Sequence, residues 1–450
     1  MKKRVLVFPC GSEIGLEIYR SLKFSKDFEL YGGSSVSDHG EFVYNNYISN
    51  IPFVDDDQFI NKINKIVEEY KIDLIIPAHD SVVLKLSQNI DKIKAIIVTS
   101  SPFACDICRS KAKTYNLFEG ILELPKIYEK DKVVKENFPL FLKPDVGQGA
   151  KGTKKIENFD DLQQYDGSKN MLLLEYLPGD EYTIDCFTDY KGNLLYCSGR
   201  KRNRISNGIS VSTIEIKDDN FLALAKKIND KLQMNGAWFF QLKRRENGQL
   251  VLMEIATRVA GTMEYQRSFG VNLPLLSLYN ALEIPVSIIK NNYTTQMDRA
   301  LENVFKISYQ YSTVYIDLDD TLLFENKVNY NVMAFLYKCL GESKRIVLLT
   351  RHCINPEDTL KKYNIDANIF EKIIHIDKND KETKKSKFIL EKAAIFIDDS
   401  YSERLDVYEK CNIPVFDVNM IDVLMWGCYD KSKYSLHNIQ SWKIYWECSQ

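Results

Sequence analysis

Short apolar runs alternate with segments of helical spacing over the first hundred residues. Val5-Leu-Val-Phe8, Leu74-Ile-Ile-Pro77 and Ala95-Ile-Ile-Val-Thr-Ser100 read as strands, and residues 13–24 and 57–70 repeat apolar positions at the helical period. Strands separated by helices build a parallel sheet with crossovers, so residues 1–104 are expected to form one doubly wound α/β domain. From 105 to 300 the texture changes to longer strands joined by hairpin-type turns, such as Asp189-Tyr-Lys-Gly192 and Glu246-Asn-Gly248, which is α+β. The polar stretch 290–311 reads as a junction. Beyond it the alternation restarts with Thr313-Val-Tyr-Ile-Asp-Leu-Asp319, and strands at 346–350 and 394–398 imply a second parallel sheet within 312–427. Residues 428–450, rich in Trp, Tyr and Ser, make a C-terminal tail. The fold class is therefore multidomain, mixing α/β and α+β.

Composition narrows the function classes. A chain of 450 residues needs more than one core, and a formal net charge of -2 gives no reason to expect nucleic acid or an anionic membrane as partner. The basic start Met1-Lys-Lys-Arg4 is followed by an apolar run too short for a signal peptide, and no apolar stretch approaches the roughly 20 residues of a membrane span. A cytoplasmic protein is expected. The ten cysteines are scattered, and Cys105-Asp-Ile-Cys108 lacks the second Cys or His pair a zinc site would need. Histidines 39, 79, 352, 375 and 437 show no metal-ligand spacing and read as structural.

Candidate chemistry starts at Phe138-Pro-Leu-Phe-Leu-Lys143, a strand followed by Gly147, Gly149 and Gly152. Glycines let backbone N–H groups approach phosphate oxygens, and the lysine adds a point charge; a plain surface glycine loop is the alternative. Two further stretches follow. Leu172-Leu-Leu-Glu175-Tyr-Leu177-Pro-Gly-Asp-Glu181 places carboxylates on either side of a turn, and a hairpin pairing Gly236–Gln241 with Leu252–Arg258 puts Gln241 and Glu254 on one surface, with Arg258 just beyond. Oxygen donors of this kind suit Mg2+. Arg200-Lys-Arg202-Asn-Arg204, followed by Gly208, reads either as an anion clamp or as a solvated basic loop.

Taken in order, these segments resemble the ATP-grasp superfamily, in its carbamoyl-phosphate-synthetase-like branch, over about residues 1–290. The resemblance implies a pre-ATP-grasp domain at 1–104 and an ATP-grasp domain at 105–300. It further implies that Lys143 and Lys111 (or Lys113) contact ATP phosphates, that Glu175 takes the adenine amino group, that Leu177 lends its backbone and that Glu181 holds the ribose. Gln241 and Glu254 match its magnesium ligands, and Arg258 matches the arginine that steadies the transferred phosphoryl group. One position departs: the family's asparagine two residues after the second ligand is Ala256 here. The implied reaction phosphorylates a small-molecule carboxylate with ATP and transfers the acyl group to an amine.

The C-terminal part carries a second set. Asp317 and Asp319 end a strand two positions apart, so one carboxylate can attack phosphorus while the other moves a proton. Thr350 ends the next strand, Lys385 opens a helical segment with Lys384 and Lys387 beside it, and Asp398-Asp399 ends a third strand. This order resembles the haloacid dehalogenase superfamily over about 312–427, a Rossmann-like domain. The match implies Asp317 as nucleophile, Asp319 as general acid/base, Thr350 and Lys385 as phosphate binders, and Asp317, Asp319, Asp398 and Asp399 around Mg2+. Too few residues separate Asp319 from Thr350 for a sizeable cap, which suits an open site and a bulky phosphate ester. The sequence thus reads as an ATP- and Mg2+-dependent carboxylate–amine ligase joined to a phosphatase. The competing reading is an ATP-binding sensor that no longer ligates and instead regulates the phosphatase. Oligomeric state is not set by the sequence.

Overall fold

The computed structural model describes residues 2–425 apart from 148, 150, 169, 207, 208, 306 and 381, so the expected tail 428–450 and Gly208 lie outside the described residues. The chain divides into two compact units, Met1–Leu301 and Glu302–Gln450.

The first unit opens with five parallel strands: β1 (Lys3–Phe8), β2 (Phe28–Gly33), β3 (Asn46–Ile48), β4 (Leu74–Pro77) and β5 (Ile96–Ile97), ordered β3-β2-β1-β4-β5. Helices Glu13–Leu22 and Phe59–Tyr70 fall where the helical period placed them. The expected strand 95–100 shrinks to two residues, because the chain leaves the sheet edge to open the helix Pro102–Arg109 under a Ser101 cap. The order reverses between β1 and β4. Such switch points form a crevice at the carboxyl ends of the strands, here the turns after Phe8 and Pro77.

A small antiparallel sheet follows, with β6 (Leu140–Pro144) between β7 (Lys154–Ile156) and β8 (Met171–Glu175). The larger sheet is β9 (Glu181–Thr188), β10 (Leu194–Ser206), β11 (Ile209–Ile216), β12 (Gly236–Arg244), β13 (Leu250–Ala256) and β14 (Gln296–Asp298), in the order β13-β12-β9-β10-β11-β14. Alternation gives this sheet two unlike faces. Ile184, Cys186, Trp238, Phe240, Leu242 and Leu252 bury against the helix Asn220–Leu232. On the opposite face the paired residues are polar: Gln241 lies beside Thr183 and Glu254, Lys243 beside Glu181, and Arg200 beside Thr183.

The expected boundary at 104/105 is not a division of cores. Val5 and Val7 of β1 and Ala78, just past β4, share one buried cluster with Phe239 of β12, Ala256 of β13, Val259 beyond it and Leu278 of helix Leu273–Ala281. β14 also lies inside the polar stretch read as a junction, where it pairs with β11.

The second unit is a parallel five-stranded sheet ordered β19-β18-β15-β20-β21. Its strands are β15 (Thr313–Ile316), β18 (Arg345–His352), β19 (Lys372–Asp377), β20 (Ala394–Ile397) and β21 (Val415–Phe416), and a hairpin, β16 (Leu323–Phe324) and β17 (Lys327–Val328), stands outside it. Val314, Ile316 and Leu348 face one core with helix Tyr330–Gly341, while Tyr315, Val347 and Phe396 face the other with Val407 of helix Tyr401–Cys411. Both faces are covered, which is why these strands read as unbroken apolar runs. Between Asp319 and Thr350 stand only the hairpin and one helix, so no cap domain occurs there. Among the described residues no helix is long and apolar enough to cross a membrane.

Candidate active sites

In the first unit Lys143 reaches the polar face of the large sheet from β6, its Nζ 4.0 Å from Glu254 Oε2. Glu254 and Gln241 are directly opposite on the β12–β13 hairpin. Burial pulls the Lys143 ammonium down to about 8; Glu254 opposes this, while Lys111 and Lys243 add to it. Lys111 is the lysine that faces the site. Its side chain is buried with Nζ donating to Asp145 O at 3.2 Å, whereas Lys113 is turned away onto Asp106 at 2.7 Å. Asp145 also accepts from the Ala112 N–H at 2.7 Å and from Ser110 Oγ at 2.9 Å, which ties the glycine loop to the start of helix Lys111–Phe118. In that loop Gly149 (φ 60) and Gly152 (φ 74) take left-handed backbone that other residues rarely adopt.

A cavity gathers Lys111, Gly147, Gly149, Glu254, Ala256 and Arg258 with Asp80 and Arg109, two residues the sequence reading missed. Arg258 is held by Asp80 through two contacts of 2.6 and 2.8 Å. Burial would raise the Asp80 carboxyl, but Arg258 outweighs it and holds the group below the usual range. Arg109 bridges Gly147 O (3.2 Å) and Ser81 Oγ (2.9 Å), so it ties the glycine loop to the segment that follows the switch-point turn. A larger cavity of about 800 Å3, beside β5 and the turn Asp189–Gly192, contains none of the expected site residues.

One expectation needs correction. The Arg200–Arg204 segment is neither loop nor open clamp: it is part of β10, and its cations are paired. Arg200 is buried on Asp185 at 2.7 Å, with Gln266 bonded to the same carboxylate at 2.9 Å; Lys201 meets Asp180, Arg202 meets Glu181, and Arg204 meets Asp298. Glu181, expected at the ribose, therefore already carries Arg202. The Glu175 carboxylate accepts from Arg245 Nη2 at 2.7 Å and from the Lys126 N–H at 3.0 Å, so an adenine amino group would share it. Leu177 is buried beside it in sequence. Cys105 faces Thr99 and Thr257 hydroxyls as an ordinary core thiol.

The second unit concentrates its chemistry. Lys385 Nζ lies 2.8 Å from Asp317 Oδ1 and 2.6 Å from Asp398 Oδ2, with all three residues buried; Lys387 is exposed and Lys384 half-buried. Asp317 ends β15 and Asp398 ends β20, its neighbour, so the sheet order brings them together. Carboxylate oxygens of Asp317, Asp398 and Asp399 lie within 4.8 Å of one another. Burial, then Asp317, push the Asp398 carboxyl up to about 7, with Lys385 opposing. Crowded hard oxygens of this kind fit a divalent cation, which would relieve their repulsion. Thr350 is fully buried, and its hydroxyl faces the Asp317 carboxylate, where it helps Lys385 oppose the upward push of burial.

Asp319, expected among the metal ligands, has its side chain elsewhere. Asp320 turns through left-handed backbone (φ 52), and Asp319 Oδ2 lies 2.7 Å from His352 Nδ1. His352, expected to be merely structural, is thus part of the site. It sits two residues beyond Thr350 on one strand, and the period of two put both on the same face.

The first unit has the ATP-grasp fold. A family model described as "ATP-grasp in the biosynthetic pathway with Ter operon" matches residues 167–302. Among solved structures, the chain is similar to the biotin carboxylase domain of Hydrogenobacter thermophilus 2-oxoglutarate carboxylase, solved with MgADP, ADP and bicarbonate (16% identity, TM-score 0.55, 66% of this chain and 74% of that one). It is similar also to an N5-carboxyaminoimidazole ribonucleotide synthetase in complex with ADP (14%, 0.53, 66% and 80%). A third similar structure is an L-amino acid ligase from Bacillus licheniformis (15%, 0.51, 64% and 75%). No curated protein sequence matches the chain.

Proposed function

We propose that the first unit is an ADP-forming ligase that phosphorylates a small-molecule carboxylate with ATP and passes the acyl group to an amine. The observation that carries this reading is the convergence of Lys143 and the glycine loop, Gln241, and Glu254 with Arg258, from three chain segments, onto one polar face. Lys143 and Lys111 would meet the phosphates, Gln241 and Glu254 would hold Mg2+, and Arg258, kept straight by Asp80, would face the charge that develops on the transferred group. A bound magnesium ion supplies charge neutralisation for phosphoryl transfer. The amino acid ligase and the two ADP-bound structures are in keeping with such a reaction. The test is a screen of carboxylate and amine pools with the full chain. Equal release of ADP and phosphate, dependent on both substrates, is expected; ATP binding without turnover on any pair rejects the ligase.

The second unit is proposed to be a phosphohydrolase of the haloacid dehalogenase type. Lys385, set between Asp317 and Asp398, carries that reading. An Asp317 oxygen attacks phosphorus as the ester P–O bond breaks, and the leaving oxygen takes a proton from Asp319. Water then attacks the aspartyl phosphate, gives its proton to Asp319, and frees Asp317 and phosphate. Asp398 and Asp399 would hold Mg2+, with Thr350 and Lys385 on the phosphate.

Ala256 favours one competitor. It lies on the same face as Glu254, where a third donor would stand, and offers none. A nucleotide sensor regulating the phosphatase would tolerate that loss. It requires ATP to change the phosphatase rate of the full chain and Lys143→Ala to abolish the change.

A further inference from the structure

Both ring nitrogens of His352 are engaged, at 2.7 Å from Asp319 Oδ2 and 2.7 Å from Thr359 Oγ1. The ring is largely buried whereas the Asp319 side chain is 40% exposed, so the fixed partner is the histidine. Its backbone is held as well: His375 Nε2 lies 3.0 Å from His352 O, and β18 pairs with β19 along this stretch. Thr359 is buried on helix Pro356–Lys362, behind the ring.

We propose that His352 is a positioning residue for proton transfer in the phosphatase reaction, with Thr359 setting its tautomer; this rests on the phosphohydrolase reading above. A carboxylate oxygen facing a ring nitrogen must accept, so Nδ1 carries the hydrogen and Nε2 accepts from the Thr359 hydroxyl. Oδ2 of Asp319 is then occupied as an acceptor throughout. The transferable proton is confined to Oδ1, which gives it to the leaving oxygen as the P–O bond breaks and recovers one from the attacking water. Without His352 the exposed side chain of Asp319 rotates between several wells and offers that oxygen only part of the time.

Leaving-group chemistry separates this role from a structural one. An alkoxide needs the proton, whereas p-nitrophenolate leaves readily without it. In the full chain with Mg2+, His352→Phe should lower kcat/KM, which ends at departure of the leaving group, about ten- to a hundredfold on an alkyl phosphate while p-nitrophenyl phosphate loses far less. His352→Asn, whose amide can donate from near the Nδ1 position, should recover most of the alkyl rate, and Thr359→Val should fall between. Equal losses on both substrates, or none on either, overturn the inference. Asp319→Asn in the same assays keeps the two proposals apart: a selective alkyl defect there but not in His352→Phe sinks the role of the histidine alone. Full hydrolysis by Asp317→Asn sinks the phosphatase reading itself.

Discussion

The two units build their sites in opposite ways. In the second, three strand ends that are neighbours in one sheet deliver Asp317, Thr350 and Asp398, and a single buried lysine binds two of them. In the first, the site is shared among a switch-point turn, a glycine loop, a helix start and a hairpin; its tight ion pair, Asp80 with Arg258, joins two of these parts, while the contact between Lys143 and Glu254 is a loose 4.0 Å. A compact site of like charges stores repulsion that a metal ion relieves. A distributed site stores little, and takes its order from the ligand that bridges its parts. Chemistry in the second should therefore collapse when one atom is changed, whereas the first should weaken by degrees.

The sharpest test of that contrast exchanges damage between the units. Asp317→Asn keeps shape but removes the nucleophile, and ester hydrolysis by the full chain should fall to background while ATP turnover stays at the wild-type rate. Lys143→Ala should weaken ATP binding at least tenfold, about 1.4 kcal/mol, and leave hydrolysis alone. Calorimetry and a phosphate-release assay on both variants read the matrix; a loss that crosses from one activity to the other would mean the activities are coupled and not merely joined.

A smaller effect is expected at the departure from the family pattern. Ala256→Asn places an amide two residues beyond Glu254, and should lower the Mg2+ concentration for half-maximal ATP turnover a few-fold. No change, or a loss, would show that the face has been repacked around alanine.

The smallest effect concerns pH. The Asp398 carboxyl is raised to about 7, so this group takes up a proton on folding between its ordinary carboxylate value and about 7. Its contribution to stability is present at acid pH and lost as pH rises through 7. Mg2+ must displace that proton, so the thermal shift it gives should be larger at pH 8 than at pH 6. Equal shifts at the two pH values would place the ion away from Asp398.

Much of both sites could be read from the chain, for a reason visible in where the residues stand. Lys143, Gln241, Glu254, Asp317, Thr350 and Asp398 lie in or at the ends of strands whose apolar runs announce them. Gln241 and Glu254 could even be paired, since a hairpin fixes its own register. What stayed hidden were partners distant in sequence: Asp80 for Arg258, Arg245 for Glu175, Asp185 and Gln266 for Arg200. Local pattern says that a charge exists but not what neutralises it. The basic run at 200–204 misled for that reason, because pairing converts it from an anion site to a seam. His352 is the exception, a local signal that could have been used, since it shares a strand face with Thr350.

The contact between Asp80 and Arg258 spans 178 positions of the chain. During synthesis the first sheet emerges long before the arginine, so its switch-point crevice waits with an unanswered carboxylate at its mouth. Closing that distance carries the loop entropy of everything between, which makes it one of the later events in maturation. A ribosome-bound chain ending short of residue 258 should thus lack both the arginine and the residues beyond it that complete the buried cluster beneath β1, so the crevice and its core mature together near the end of the first unit.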